Sequence, residues 1–306
     1  MHPSDLFIHP VDRRMTAFWR ILFQFILFAG LLVLLQLSLP DDLPRILQHV
    51  ATMFAFTASV WIAGRYLDRR TFVDFGLVLD RRWWNELGLG LGIGFLAMGA
   101  IFLVFWIFGW MEVTGWGWER AGLQPFPIAI GGYLLHMAMV GFYEELFSRG
   151  YHLKNMMEGY RFGKDASGSR AAVLSLLTSS VIFGLMHAGN PGFKWSALVG
   201  IVIAGLLLGI PYLMTGRLGY AIGLHFSWNF VQGGVFGFPV SGNPFRESLI
   251  QTTVTGPEWL TGGGFGPEAG ALPHLILVLA GVLSVVLLVR MGVGAKVHPS
   301  FLRTEE

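Results

Sequence analysis

The 306-residue sequence contains no cysteine, and only 13% of its residues are charged. The absence of cysteine excludes disulfide bonds, thiolate metal ligands and a cysteine nucleophile. Soluble domains carry about 25% charged residues, so the low charge content argues against a surface that faces water over most of the chain. Hydrophobic residues make up 54% of the sequence and cluster in long runs, which predicts an integral membrane protein. The net charge of only +2 gives no indication of a nucleic acid partner.

Eight apolar runs are long enough to be transmembrane helices. The hydrocarbon core of a bilayer is about 30 Å thick, which roughly 20 apolar residues can cross as a helix. We therefore predict an all-α fold, a polytopic bundle that forms one membrane domain over residues 1–306. The eight predicted spans are Ile21–Leu39, Ile46–Gly64, Leu87–Trp110, Ile128–Phe147, Ala171–Ala188, Ser196–Leu213, Ala221–Phe236 and Leu275–Val289.

The distribution of Lys and Arg predicts the orientation of this bundle, because cytoplasmic segments of membrane proteins are enriched in positive charge. If the N-terminus is cytoplasmic, only four of the 21 basic residues fall in outside segments: Arg45, Arg120, Lys194 and Arg246. The other 17 lie inside, and an even number of spans places both termini in the cytoplasm. The apolar composition and compact loops fit a cell-membrane protein, most simply of a bacterial inner membrane.

Two sets of glycines recur at helical spacing. Gly88, Gly90, Gly92 and Gly94 open the third span, and the sixth span contains Gly205 and Gly209. No strand precedes the first set, so we interpret them as sites of close helix packing rather than as a phosphate-binding loop. Residues 237–271 form a Gly-rich segment on the predicted outer side, which is either a lid over the bundle or a disordered loop.

A pair of carboxylates interrupts the fourth span. Glu144 and Glu145 are adjacent, and Arg149 follows Glu145 by four residues, so that Glu145 and Arg149 share a helix face. An ionisable group within a bilayer costs at least ~2.5–3.5 kcal/mol, so it usually serves a function. One carboxylate paired with Arg149 and one left free is a suitable arrangement for a general base. The alternative is a solvated helix end, where Glu and Arg are ordinary residues.

Two histidine motifs follow in later spans. His187 lies four residues after Phe183, and Asn229 lies four residues after His225 on the same helix face. Each motif alone has a structural interpretation, since His and Asn also pack against backbone carbonyls or join helices through hydrogen bonds. Two donors on one face are also suited to binding an oxyanion.

These three clusters, in this order, resemble the CAAX protease and bacteriocin-processing (CPBP) family of intramembrane endopeptidases. The family pattern is Glu-Glu-x-x-x-Arg, then Phe-x-x-x-His, then His-x-x-x-Asn or Asp, and every position matches. The resemblance covers residues 128–236, which we predict to be the catalytic core. It implies a substrate that is a prenylated, bacteriocin-like or other membrane-associated peptide or protein, bound within the lipid bilayer.

The resemblance also implies residue roles. Glu144 would be the general base, with His187 helping to activate a water molecule. Glu145 and Arg149 would orient the base, and His225 and Asn229 would stabilise the oxyanion of the tetrahedral intermediate. The resemblance favours a mechanism without a cofactor, although Glu144, His187 and His225 would also make a plausible zinc ligand set.

Two other functions compete with proteolysis. A non-catalytic scaffold or immunity protein would keep the bundle and bind a partner. A proton-coupled transporter would use the Glu and His residues as a relay, although the sequence contains no convincing internal repeat. The sequence does not indicate an oligomeric state.

The predicted depths of the site residues disagree with one another. Glu144 lies near the cytoplasmic end of its predicted span, whereas His187 lies ~25 Å from the cytoplasmic side if Arg170 marks the surface. We therefore predict that the fifth span begins in the cytosol or is strongly tilted. We also expect the site to lie in a cavity that is open to the cytoplasm.

Overall fold

The computed structural model of the protein describes residues 7–8, 13–40, 42–119, 125–161, 168–245 and 247–302. Eight long helices dominate these residues and match the eight predicted spans in order. Their bounds are α1 Ala17–Ser38, α2 Arg45–Ala63, α3 Arg81–Ile107, α4 Phe126–Glu145, α5 Ser169–Met186, α6 Trp195–Thr215, α7 Gly219–Asn229 and α8 Ala271–Arg290. Three of them continue as π-helix: α2 over Gly64–Asp68, α4 over Leu146–Leu153 and α7 over Phe230–Val235. A further α-helical segment, Lys154–Gly159, extends α4.

The remaining elements are short. Two strands, β1 (Met111–Trp116) and β2 (Ile250–Val254), pair antiparallel. One short helix spans Glu258–Thr261, and single 3-10 turns span Gly117–Glu119, Gly263–Phe265, Pro267–Ala269 and Pro299–Phe301.

The helical architecture confirms the all-α polytopic prediction. Seven helices in the described part of the chain are long and apolar enough to cross a membrane. The eighth, α7, has 11 α-helical residues followed by six π-helical residues, and nearly all of α7 is buried. Because α7 packs among α3, α4 and α6 rather than against lipid, its side chains need not be uniformly apolar. It is therefore the helix that accommodates His225, Ser227 and Asn229.

The close packing of α3 on α7 depends on two of the predicted glycines. A Cβ atom at Gly90 would overlap the Tyr220 carbonyl oxygen, and one at Gly94 would overlap the Ser227 hydroxyl. Gly88 and Gly92, by contrast, have no atom within 4 Å of such a Cβ. The packing interpretation is therefore confirmed for every second glycine of the run. Gly205 and Gly209 of α6 meet Ser180 and Leu176 of α5 in the same way.

These contacts predict different effects for neighbouring glycines. We expect Gly90→Ala to destabilise the protein by about 1–3 kcal/mol, because the added methyl group must push two backbones apart. Gly88→Ala is the matched control and should be neutral or slightly stabilising, because alanine favours a helix by up to about 1 kcal/mol. Thermal unfolding of both variants in detergent measures the difference. Equal unfolding temperatures would contradict the packing interpretation.

Helix α4 is longer than the sequence predicted. The prediction ended the fourth span at Phe147, but the continuous helix runs from Phe126 to Gly159. Hydropathy falls after Phe147 because polar residues follow, yet these are buried by neighbouring helices. His152, for example, bonds through Nε2 to the Gln24 Oε1 atom of α1 at 2.8 Å. Glu144 therefore lies in the interior of α4, about 22 Å before its final residue.

The end of the bundle predicted to be cytoplasmic is closed by an ion-pair cluster. Arg20 of α1 is fully buried and pairs with Asp68 at 2.5 Å and with Glu158. Arg70 pairs with Glu158 at 2.8 Å, and Arg14 with the same carboxylate at 3.4 Å. These residues join α1, the end of α2 and the end of α4 at one level of the bundle.

The described part of segment 237–271 is folded. Its strand β2 pairs with β1, which lies between α3 and α4, and Phe238 and Phe265 are fully or almost fully buried. Gln232 of the α7 extension donates through Nε2 to Glu268 Oε2 at 2.7 Å. Of the two predicted alternatives, the structure therefore supports a cover over one end of the bundle rather than a disordered loop.

Candidate functional site

A cavity of about 1870 Å³ runs between the helices and contains four of the predicted site residues. Glu144 of α4, His187 at the end of α5, and His225 and Asn229 of α7 all line it. Residues from α2, α6, α8 and segment 237–271 complete its wall. Residues that are far apart in the sequence are thus brought together around one internal space.

Glu145 lies behind the wall of this cavity and connects two of the motifs. Its side chain is fully buried, and its Oε1 atom accepts hydrogen bonds from Arg149 Nη1 and His225 Nδ1, each at 2.7 Å. The Glu145–Arg149 pair is as predicted from the spacing. The resemblance implied that Glu145 orients Glu144, however, and the bond to His225 indicates that Glu145 also fixes the imidazole of α7.

Glu144 is the carboxylate that faces the cavity. Its side chain is 19% exposed, and its Oε2 atom lies 3.9 Å from His225 Nε2. That separation is too long for a hydrogen bond. Oε2 is buried and has no hydrogen-bond partner among the described residues. A buried acceptor without a protein partner is suited to holding a water molecule or a substrate group.

His187 is held in one tautomer by its own helix. Its Nδ1 atom lies 2.8 Å from the Phe183 carbonyl oxygen, so Nδ1 carries the proton that is donated. Nε2 is therefore the nitrogen with a free lone pair. The sequence also allowed a purely structural role for His187, with its ring bonded to a backbone carbonyl. This bond is present, and it leaves Nε2 available for a role in the cavity.

The apparent conflict of depths disappears in the structure. The Arg149 guanidinium lies over the Phe183 ring at 4.2 Å, so these residues are at the same level in α4 and α5. The two helices are antiparallel. One turn away from this contact in the same direction, α4 reaches Glu145 and α5 reaches His187. The conflict arose because the fourth span was predicted to end twelve residues too early.

Two of the three helices that carry a motif, α4 and α7, become π-helical within the motif or directly after it. The π-helix of α4 begins after Glu145 and contains Arg149, and that of α7 begins after Asn229. Such π-helical turns are frequent at functional sites, because the inserted residue re-aims the neighbouring side chains. Asn229 is 9% exposed and lines the cavity one turn from His225.

The cavity also contains polar residues that the motifs did not predict. His136, interpreted from the sequence as an isolated residue, stacks on His49 of α2 with ring centroids 3.3 Å apart. Both rings line the cavity, as does Glu268. The sequence offers no spacing that connects His49 with His136, because the two residues belong to different helices.

Glu268 predicts a pH dependence of stability. Burial raises the pKa of this carboxyl group from 4.5 to about 7, against the opposing effect of hydrogen bonds from Gln232 and Ser241. The folded state therefore holds this proton more tightly than the unfolded state does. The contribution of Glu268 to the free energy of unfolding is largest below pH 4.5 and falls until about pH 7.

A titration of stability tests this sign. We expect the unfolding temperature of the wild type, relative to Glu268→Gln, to fall between pH 5 and 7, because Gln does not titrate. Glu112→Gln is the control, since Glu112 is exposed on β1. A difference between wild type and Glu268→Gln that is constant with pH would show that Glu268 has an ordinary pKa.

The zinc alternative, with Glu144, His187 and His225 as ligands, stays a prediction. The described residues include no group of three or more His, Asp or Glu side chains that could hold a metal ion. Glu144, His187 and His225 share the cavity without forming such a set.

Comparison with known families agrees with the order of these motifs. Residues 125–231 match the family model described as type II CAAX prenyl endopeptidase, Rce1-like. The match supports the family resemblance that the motifs indicate. The matched segment runs from the start of α4 into the π-helix of α7, and so includes every predicted site residue. Neither a curated protein nor a solved structure matches the chain.

The family match supports a function at a coarse level. The Rce1-like family supports a CAAX-type intramembrane protease, and the apolar helices make the chain a multi-pass membrane protein.

Proposed function

We propose that the protein is an endopeptidase of the cell membrane, in which Glu144 activates a water molecule to hydrolyse a peptide bond. The observation that carries this proposal is the unequal environment of two adjacent carboxylates. Oε1 of the fully buried Glu145 accepts hydrogen bonds from Arg149 and His225, whereas Glu144 lines the cavity with a side chain that is 19% exposed. A general base needs a carboxylate oxygen that can accept a proton, and its position must be fixed by the neighbouring residues.

The first step is the attack of water on the peptide carbonyl. Glu144 accepts a proton from the water as its oxygen forms a bond with the carbonyl carbon. His187 assists through its unprotonated Nε2 atom, since its Nδ1–H is occupied by Phe183. The electron pair of the carbonyl moves to its oxygen, and the result is a tetrahedral intermediate with a negative charge.

The second step is the breakdown of this intermediate. The Asn229 amide and the His225 Nε2–H, when that ring is doubly protonated, are the donors available for the oxyanion. Glu144 returns its proton to the leaving amine as the carbon–nitrogen bond breaks, and the products are a new carboxyl end and a new amino end. Glu145 acts on this step through the orientation of His225, so it is a positioning residue.

Reconstitution tests this proposal against its two alternatives. The purified protein in liposomes should cleave members of a synthetic peptide library, with products identified by mass spectrometry. Cleavage should survive treatment with a metal chelator, because no step uses a metal. Activity that is lost with chelator and restored by zinc would contradict the metal-free mechanism. Proton flux without cleavage would favour a transporter, and partner binding without cleavage would favour a scaffold.

A further inference from the structure

We infer that Ser148 is a further catalytic residue of this site, and that its hydroxyl group holds the attacking water molecule against Glu144. This inference rests on the proposed function and adds a residue to the same site. Position 148 is one of the unspecified positions in the Glu-Glu-x-x-x-Arg pattern, so the resemblance implies no role for it. The support comes from the position of Ser148 on α4, from its hydrogen bonding and from its surroundings.

Ser148 lies on nearly the same face of α4 as Glu144. It follows Glu144 by four residues and belongs to the π-helical part of the helix. Side chains at this spacing are neighbours, with Cβ atoms about 5–6 Å apart. Both side chains line the cavity, and no hydrogen bond joins them. One water molecule can bridge such a gap, because two O–H···O bonds of about 2.7–2.8 Å extend over about 5.5 Å.

The Ser148 hydroxyl group has no hydrogen-bond partner among the described residues. A serine within a helix commonly bonds to a carbonyl oxygen three or four residues earlier. Four helical serines of this protein do so, at distances between 2.6 and 3.3 Å: Ser59, Ser175, Ser227 and Ser284. Ser148 does not, so both its donor and its acceptor are available to a molecule in the cavity.

The surroundings of Ser148 favour a bound water molecule. The residue is only 4% exposed, and the Phe183 ring, which contacts the adjacent Arg149 at 4.2 Å, lines the same part of the cavity. A buried water molecule needs two to four polar partners, and Glu144 and Ser148 supply two of them. Ser180 of α5 also lacks a partner, but it does not line the cavity.

The role of Ser148 in the reaction is to orient the nucleophile. One hydrogen of the water molecule is donated to the Glu144 carboxylate, which removes it during the attack. The other hydrogen is donated to Ser148 Oγ and stays on the oxygen that joins the new carboxyl group. A lone pair of the water is then directed toward the peptide carbonyl carbon, which is the orientation that the attack requires. Ser148 neither gains nor loses a proton.

Replacing Ser148 with Ala tests this role. We expect kcat to fall about tenfold, the effect of losing one hydrogen bond to a reacting atom, and KM to change by less than about twofold. The unfolding temperature should not fall, because the hydroxyl group has no described protein partner. Ser180→Ala is the matched control, a buried helical serine outside the cavity, and should leave kcat unaltered. A wild-type kcat for Ser148→Ala would overturn the inference.

A double variant shows whether Ser148 and Glu144 act on the same water molecule. Residues that act as a unit have non-additive effects, so adding Ser148→Ala to Glu144→Gln should lower kcat by less than about twofold. A further tenfold loss would place Ser148 in a different step and overturn the inference. A covalent adduct of a fluorophosphonate on Ser148, located by mass spectrometry, would also overturn it, because the serine itself would then be the nucleophile.

Thiol labelling tests the position of Ser148 without a measurement of activity. The chain has no cysteine, so Ser148→Cys and Ser180→Cys each carry a single thiol. In detergent, a small water-soluble methanethiosulfonate should modify Ser148→Cys at least about tenfold faster than Ser180→Cys, because only the first thiol meets the cavity. Equal rates would overturn the inference and leave the proposed function intact. A wild type that cleaves no peptide would overturn the proposed function and the role of Ser148 with it.

Discussion

Replacing Glu144 with Gln should lower the turnover of peptide cleavage about 10³-fold while the protein stays folded. The amide keeps the size of the side chain but has no basic oxygen that can take a proton from water. A positioned general base contributes about 10²–10⁴-fold to a rate, which sets the expected size of the effect. The measurement is kcat of the purified variant on a peptide that the wild type cleaves.

The control for this variant is Glu112→Gln. Glu112 lies exposed on β1, outside the cavity, so the same chemical change there should leave kcat unaltered. The unfolding temperature of Glu144→Gln should be at or above that of the wild type, because Oε2 is a buried acceptor without a described protein partner. Retention of most of the activity by Glu144→Gln would exclude Glu144 as the base.

Replacing Arg149 with Met should destabilise the protein by about 3–5 kcal/mol. The guanidinium is 2% exposed and pairs with the fully buried Glu145, so its loss leaves a carboxylate without its cationic partner. Removing one member of a buried ion pair typically has a cost of this size. The variant should unfold at a markedly lower temperature and lose activity, since Glu145 also positions His225.

The double variant Glu145→Gln/Arg149→Met separates stability from catalysis. With both charges removed, most of the lost stability should return, because no unpaired charge remains. Activity should stay low and its pH profile should shift, because His225 no longer contacts a carboxylate. A double variant as unstable as Arg149→Met alone would show that Arg149 acts mainly through its packing on Phe183.

The sequence was most informative where a motif lies within one helix. The spacing of Glu145 and Arg149 predicted their ion pair, and the structure joins them at 2.7 Å. Seven of the eight apolar runs coincide with helices that are long and apolar enough to cross a membrane, because span length depends on the bilayer thickness and not on tertiary contacts. The roles of the cavity residues remain predictions that rest on the family pattern.

The sequence was least informative where a property depends on several helices. Helix α4 continues past Phe147 because its polar residues find partners on α1 and elsewhere, which hydropathy cannot reveal. The bond between Glu145 and His225 crosses from α4 to α7, and no spacing within either helix predicts it. The direction in which the cavity opens depends on how several helices pack, so the expected opening to the cytoplasm stays a prediction.

A comparison of protein termini in cells tests the central claim, peptide hydrolysis by Glu144, most directly. Cells that lack the chain would be supplied with the wild type, Glu144→Gln or Glu112→Gln at equal membrane abundance, and new protein termini would be identified by mass spectrometry. The account predicts a set of termini that appears with the wild type and with Glu112→Gln and is absent with Glu144→Gln. The same set of termini with Glu144→Gln as with the wild type would contradict it.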